Sequence, residues 1–248
     1  MVSFVLICQE GTTYAPLRKA WPSFSTESGY NKHMKQLVTI EQLFDILEQE
    51  IKEQHFLETL VEHTFHQYKS AFFTLVSTIL SARTKDSLTI TKLPALWKRA
   101  KTPEDFMRLS VAELEPLLKP IGFYKTKARH LIETGKMVHE SYNNQIPDEI
   151  EELIKLPGVG RKTANLVVSI VFDKPAICVD THVHRIMNHI GYVHTKTPEQ
   201  TEMALRKKLP KHLWQRTNRI LVLIGQNLAN HRTILEPDNI LNRYTVKN

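Results

Sequence analysis

Leu153-Ile154-Lys155-Leu156-Pro157-Gly158-Val159-Gly160-Arg161-Lys162-Thr163-Ala164-Asn165 is the stretch that decides the fold. Pro157 fixes φ and Gly158 permits φ > 0, so the pair sets a tight turn. Gly160 removes a second side chain where the next helix begins. Residues 147–155 and 162–172 read as helices on either side. The spacing therefore predicts a helix–turn–helix hairpin with exposed backbone N–H groups at a helix N-terminus. Such a nest holds a phosphate without reading base sequence. An ordinary helix–helix turn is the competing reading, and Gly-x-Gly alone does not separate the two. Arg161 and Lys162, directly after the turn, favour a nucleic-acid backbone.

Lys162 falls in the first turn of an otherwise apolar helix. A helix N-terminus and apolar surroundings both disfavour an ammonium charge, which favours the neutral, nucleophilic amine. A phosphate-binding surface lysine explains the residue equally well. Asp180 follows 180 − 162 = 18 residues later, in Val179-Asp180-Thr181-His182-Val183-His184-Arg185. An Asp before a helix is ordinarily an N-cap. A carboxylate near a nucleophilic amine can also take a proton or stabilise positive charge on a sugar ring. A capping position would hold it rigidly for either task.

The remaining pattern is helical. Ile40, Leu43, Phe44, Leu47 and Ile51 recur at three- and four-residue spacing. Residues 70–82 are apolar on most sides, as a central core helix is. Asp86 can cap a helix running to about residue 97. Thr102-Pro103-Glu104-Asp105 is expected to start another helix, with Pro in its first turn, and further helices are expected over 111–119, 125–142, 180–191, 198–209 and 213–228. Ala176-Ile177-Cys178-Val179 is the best strand candidate, but its length suits an extended connector. About ten helices make an all-α protein. Residues 1–35 mix Gly, Ser, Pro and aromatics without a period and read as a loosely structured extension.

Composition narrows the partner and the compartment. The 248 residues carry 33 Lys+Arg against 26 Asp+Glu, a net charge of +7 that suits a polyanion. Two cysteines, Cys8 and Cys178, are too few for a disulfide framework or for an iron–sulfur cluster, which takes four thiolates. No apolar run spans a bilayer, and the opening segment lacks the basic flank of a secretory signal. His182 and His184 are two apart and face different sides of a helix, whereas His63 and His66 have no evident third partner. No metal site is expected.

The segments 156–165 and 179–185 resemble the endonuclease III family of helix-hairpin-helix DNA glycosylases. Ile79-Leu80-Ser81-Ala82-Arg83-Thr84-Lys85-Asp86 is similar to the family's first DNA-contacting loop. Ile121-Gly122-Phe123-Tyr124-Lys125-Thr126-Lys127-Ala128 is similar to its second. The four segments stand in family order, and the resemblance covers about residues 40–228. It implies an all-α, two-lobed fold: a six-helix domain over 65–174 with the hairpin and Lys162, and a discontinuous domain over 36–64 and 175–248 with Asp180. It implies that Lys162 is a Schiff-base lysine and Asp180 the catalytic aspartate. Arg83 then fills the gap left by a flipped nucleotide, although pairing with Asp86 is a plain structural alternative. Phe123 is the wedge, with Tyr124 and Lys125 beside it on the DNA. Gly158, Val159, Gly160, Arg161 and Thr163 form the backbone-binding hairpin, and His182 faces the DNA beside Asp180.

One departure from the family stands out. Its iron–sulfur cysteines are missing: Gly225-Gln226 remains where the cluster loop starts, but Ala229 replaces the first ligand. The expectation is a cofactor-free member whose tail packs through Ile234, Leu235, Ile240 and Leu241. The expected activity is removal of oxidised pyrimidines from damaged double-stranded DNA, with strand cleavage by β-elimination. A monofunctional glycosylase and an inactive DNA-binding module are the alternatives. The protein is expected to be a monomer in the cytoplasm, at the nucleoid, or in the nucleus if the source is eukaryotic.

Overall fold

The computed structural model describes residues 35–56 and 58–247. Apart from Lys35, the expected N-terminal extension lies outside the described residues, as does Cys8. The described chain runs β1 (Gln36–Val38), α1 (Ile40–Glu53), α2 (Leu60–Tyr68), α3 (Ala71–Ser81), α4 (Asp86–Arg99), α5 (Pro103–Met107), α6 (Val111–Leu118), α7 (Tyr124–Ser141), α8 (Ile150–Leu153), α9 (Arg161–Val171), α10 (Thr181–His189), α11 (Pro198–Lys208), α12 (Trp214–Asn227) and β2 (Tyr244–Val246). Short 3-10 turns lie at Lys211–Leu213, Thr233–Leu235 and Ile240–Arg243. The fold is all-α, as expected.

Most helices start where the chain offers an oxygen for their free amides. Thr39, Thr59, Thr102 and Ser110 each form a capping box with the third residue beyond. Helix α2 was not expected, since its nine residues show no long apolar period. Nor was the sheet in which β1 and β2 pair in parallel, with Gln36 opposite Tyr244 and Val38 opposite Val246. Three-residue strands 208 positions apart carry no periodicity of their own.

The buried apolar side chains fall into two clusters. One draws on Val38–Ile51 and on Ile177 through Val246, the other on Leu60 through Ala176. Helix α3 runs through the second with Phe73, Leu75, Val76 and Leu80 fully buried. Its hydroxyls are satisfied within the helix: Thr74 Oγ1 donates to Ser70 O at 2.8 Å and Thr78 Oγ1 to Leu75 O at 2.7 Å. Arg219 spans the two clusters, reaching Glu48 on α1 at 3.7 Å and Glu62 on α2 at 3.0 Å.

The tail after α12 is closed by side chains bonding to backbone. Asn239 Nδ2 donates to Leu228 O and Thr233 O, both at 2.9 Å, and Asn242 Nδ2 donates to Ile234 O and Glu236 O. Ile234, Ile240 and Leu241 are buried as expected. Leu235 is not: it is 72 % exposed, because the 3-10 turn that buries Ile234 turns its neighbour outward.

Helices α5 and α7 approach at Gly135, where a Cβ would stand 2.7 Å from Pro103 O and 2.9 Å from Phe106 Cβ. Backbone cannot yield as a side-chain tip does. Gly135→Ala is expected to lower stability by about 1–3 kcal/mol, measured by urea unfolding. An unchanged midpoint would show that the two helices are free to separate.

Candidate active site and nucleic-acid interface

Helix α7 holds the hairpin turn. Thr134 Oγ1 donates to Pro157 O at 2.9 Å. Gly158 has φ of 79°, and a Cβ there would stand 2.7 Å from His130 Nδ1. Conformation and space both demand glycine. Gly160 is the N-cap of α9 and offers no side-chain cap, and nothing lies within 4 Å of where its Cβ would be. The leading amides of α9, at Arg161, Lys162 and Thr163, therefore begin a helix whose N-terminus is open to an anion.

Three details of this segment differ from expectation. Val159 buries its side chain, and its N–H is spent on Leu156 O at 3.1 Å, because the turn folds that residue back onto the core. Arg161 does not stand alone: its Nε bonds to buried Glu202 Oε1 at 3.1 Å, and Arg206 Nε meets the same oxygen at 2.9 Å. Lys162 is exposed rather than set in apolar surroundings, since the apolar stripe of α9 lies along Ala164, Val167 and Val168.

Lys162 and Asp180 are drawn together by the connector between α9 and α10. Ala176–Val179 is extended and buried, without strand partners. Cys178 Sγ donates to Lys162 O at 3.6 Å, and Asn218 Nδ2 on α12 donates to Cys178 O at 3.2 Å. Burial pushes the Cys178 thiol up to about 12. It is a packing group here and not a nucleophile. Asp180 follows at the N-cap of α10, where its Oδ1 accepts from His182 N and Val183 N, both at 2.9 Å. No donor among the described residues is bonded to its Oδ2.

A second carboxylate joins them. Asp86 is not a cap, as Lys85 occupies that position and Asp86 is the first residue of α4. Burial raises its pKa, while a hydrogen bond from Gln226 and the nearby Lys162 charge oppose the rise and Asp180 adds to it. The carboxylates of Asp86 and Asp180 thus share the electrostatic surroundings of Lys162. The sequence carries no signal for this beyond the position of Asp86 at the end of the first loop.

His182 has close neighbours. A Cβ on Gly225 would fall 2.8 Å from His182 Cβ, so α12 can pass only with glycine there. Arg185 Nη2 lies 3.2 Å from His182 Nδ1. Arginine only donates, so Nδ1 accepts and the ring proton sits on Nε2. Burial holds the imidazole below its ordinary 6.5; the Asp180 charge opposes this, and Arg185 and Lys162 reinforce it. The ring is a neutral donor beside Asp180. Arg185 Nη2 also donates to Ala229 O at 2.6 Å, at the end of α12.

The two upstream loops meet at their tips. Arg83 and Phe123 both have left-handed backbone, at φ of 55° and 57°. The Arg83 guanidinium lies 6.0 Å from the Phe123 ring centroid, and Phe123 is 64 % exposed. Arg83 is not paired with Asp86 or with any other carboxylate among the described residues. Tyr124 is half-buried with Lys119 Nζ 5.3 Å from its ring centroid, and Lys125 is exposed beside it. Beneath both tips lies Lys127, which the sequence reading did not single out. Its signal was available: a lysine on the stripe of Leu131, Thr134 and Val138, which faces the core.

Cys178 is the one cysteine among the described residues, with its Sγ on Lys162 O, and the Ala229 carbonyl is taken by Arg185. Among the described residues no three His, Cys, Asp or Glu side chains are grouped as a metal would require, and no helix is long and apolar enough to cross a membrane.

The depressed His182 value sets a pH dependence. Above pH 6.5 the ring is neutral folded or unfolded, and stability is full. Below it the unfolded chain takes a proton that the fold resists, so stability falls with pH. Melting temperature is expected to drop between about pH 7 and pH 5, and to drop less in His182→Gln. Parallel profiles for the two proteins would show that His182 is not the group responsible.

Comparison with known proteins identifies the family and the fold. Residues 76–211 match the family model of the HhH-GPD superfamily base excision DNA repair proteins. The chain is 44 % identical over 176 residues to endonuclease III of Thermotoga maritima, covering 71 % of this chain and 80 % of that one. It is 39 % identical over 160 residues to endonuclease III of Bacillus subtilis, covering 64 % and 73 %. The fold is similar to that in the structure of a trapped endonuclease III–DNA covalent intermediate, with a TM-score of 0.67, 31 % identity, and coverage of 82 % of this chain and 94 % of the other. The chain belongs to the helix-hairpin-helix superfamily of base excision DNA repair proteins and, within it, to the endonuclease III family.

Proposed function

We propose that this base excision repair DNA glycosylase is bifunctional, removing an oxidised pyrimidine through a covalent bond to Lys162 and then cutting the strand. The observation that carries the reading is the convergence of an exposed lysine on an open helix N-terminus with the carboxylates of Asp180 and Asp86. The hairpin amides take a phosphate, and Arg83 and Phe123 enter the stack. Unstacking costs a few kcal/mol and is cheapest at a damaged pair. The extruded nucleotide then reaches Lys162.

Once its amine is neutral, Lys162 Nζ attacks C1′. The C1′–N bond breaks, and its electron pair leaves with the base, which takes up a proton. Asp180 offsets the positive charge on the sugar, and its unbonded Oδ2 can accept the proton lost by the attacking amine. The sugar ring opens to a protonated imine. Loss of a C2′ proton moves electrons toward the imine and expels the 3′ phosphate, which is β-elimination. Water then releases the lysine. His182 donates from Nε2 to the DNA beside Asp180. The steps as written draw on amine, carboxylate and water alone. We take the working unit to be a monomer acting on double-stranded DNA in the compartment that holds the chromosome.

The test is borohydride trapping on duplexes carrying an abasic site or an oxidised pyrimidine. The native protein is expected to give a covalent adduct and a nicked strand, and Lys162→Ala neither. Asp180→Asn is expected to slow base release by about 10²–10⁴-fold. An adduct with Lys162→Ala would overturn the assignment. Base release without a nick would mark a monofunctional enzyme, and no turnover on abasic DNA a binding module.

A further inference from the structure

We infer that Lys127 is a positioning residue that locks the Arg83 and Phe123 loops into one rigid two-pronged wedge. The inference rests on the reading of those two side chains as the groups that enter the DNA stack. Lys127 lies one turn into α7, and only 6 % of it is exposed. Its Nζ donates to Leu80 O at 2.7 Å, Ala82 O at 2.7 Å and Thr84 Oγ1 at 2.9 Å. Those acceptors bracket Arg83. Its backbone N–H donates to Phe123 O at 3.0 Å. The backbone bond is the first of α7 and the side chain reaches the other loop, so Lys127 ties the Arg83 loop to the helix whose N-cap is Phe123.

The bonding is complete and specific. An ammonium has three hydrogens, and all three are used. Two of the acceptors are carbonyls at the C-terminal end of α3, where the helix dipole favours a cation. No carboxylate pairs with Lys127 among the described residues. Burial pulls its pKa down to about 8, so these oxygens are what holds a charge there. A buried cation is poorly suited to stability alone, because an apolar side chain of similar size often serves as well. A Met at this position would fill the space but leave the Arg83 loop without its anchor.

The loops need such an anchor. Both tips hold non-glycine residues in left-handed backbone, which persists only where the surroundings over-determine it. The loops run side by side at Gly122, where a Cβ would make ordinary contact with Arg83 O at 3.4 Å and Thr84 Oγ1 at 3.6 Å. Entry into a base stack loads the tips, and a wedge whose prongs move separately transmits less of that load.

The experiment places 2-aminopurine opposite a tetrahydrofuran residue, an abasic analogue that a Schiff base cannot form on. Fluorescence is read at saturating protein for the native chain, Lys127→Met and Thr84→Val. The native chain is expected to raise the signal as the wedge unstacks the probe. Lys127→Met is expected to cut that amplitude at least about fivefold and Thr84→Val about twofold, with affinity for undamaged duplex unchanged within about twofold. A merely structural role would instead lower melting temperature and weaken all DNA binding alike. Full amplitude in folded Lys127→Met overturns the inference. If that variant does not fold, full amplitude in Thr84→Val does so. A native chain that unstacks the probe but gives no borohydride adduct on abasic DNA refutes the Lys162 chemistry and leaves the wedge standing. An adduct together with an undiminished Lys127→Met signal refutes the wedge alone.

Discussion

The site depends on a short length of buried backbone that belongs to no helix. Ala176–Val179 is extended and enclosed, and its polar groups need partners that a helix would have supplied internally. Asn218 takes the Cys178 carbonyl, and the Cys178 thiol turns to the carbonyl of Lys162. This arrangement fixes the first turn of α9 against the approach to α10. Lys162 and Asp180 are thus held by the backbone on which they sit, leaving the amine exposed and one carboxylate oxygen without a hydrogen-bond donor among the described residues.

The same economy of side chains governs the surroundings. Glu202 holds Arg161 and Arg206, and Arg206 Nη2 donates to Asn165 Oδ1 at 3.0 Å, so α11 braces the first turn of α9. Buried charges of this kind do little for net stability but fix a relative placement. Arg219 does the like between α1 and α2. The net charge of +7 supplies general attraction to DNA, whereas these paired charges set geometry.

The tail is closed by side-chain amides bonding to backbone. The asparagines at 239 and 242 satisfy carbonyls of the 3-10 turns, and β2 returns to pair with β1 beside the start of α1. Arg185 joins this region to the site, with one nitrogen between the end of α12 and His182. Gly225 on α12 makes room for the His182 ring, and Ala229 just beyond the helix holds the Arg185 that meets that ring.

The sequence by itself determined the helical class, the hairpin turn and the family, because these rest on local rules. Apolar period marks helices, Pro157-Gly158 marks a turn, and Thr or Ser with Glu, Gln or Asp three residues on marks a helix start. Lys162 and Asp180 were legible because their motifs are contiguous. Tertiary structure alone decided what those motifs touch. It put Asp86 in the first turn of α4 near the charges of Lys162 and Asp180, joined Arg161 Nε to Glu202, turned Val159 inward and set Lys127 beneath both loops. It also paired strands 208 residues apart. Those outcomes depend on contacts between residues distant along the chain, which local periodicity and capping chemistry do not encode.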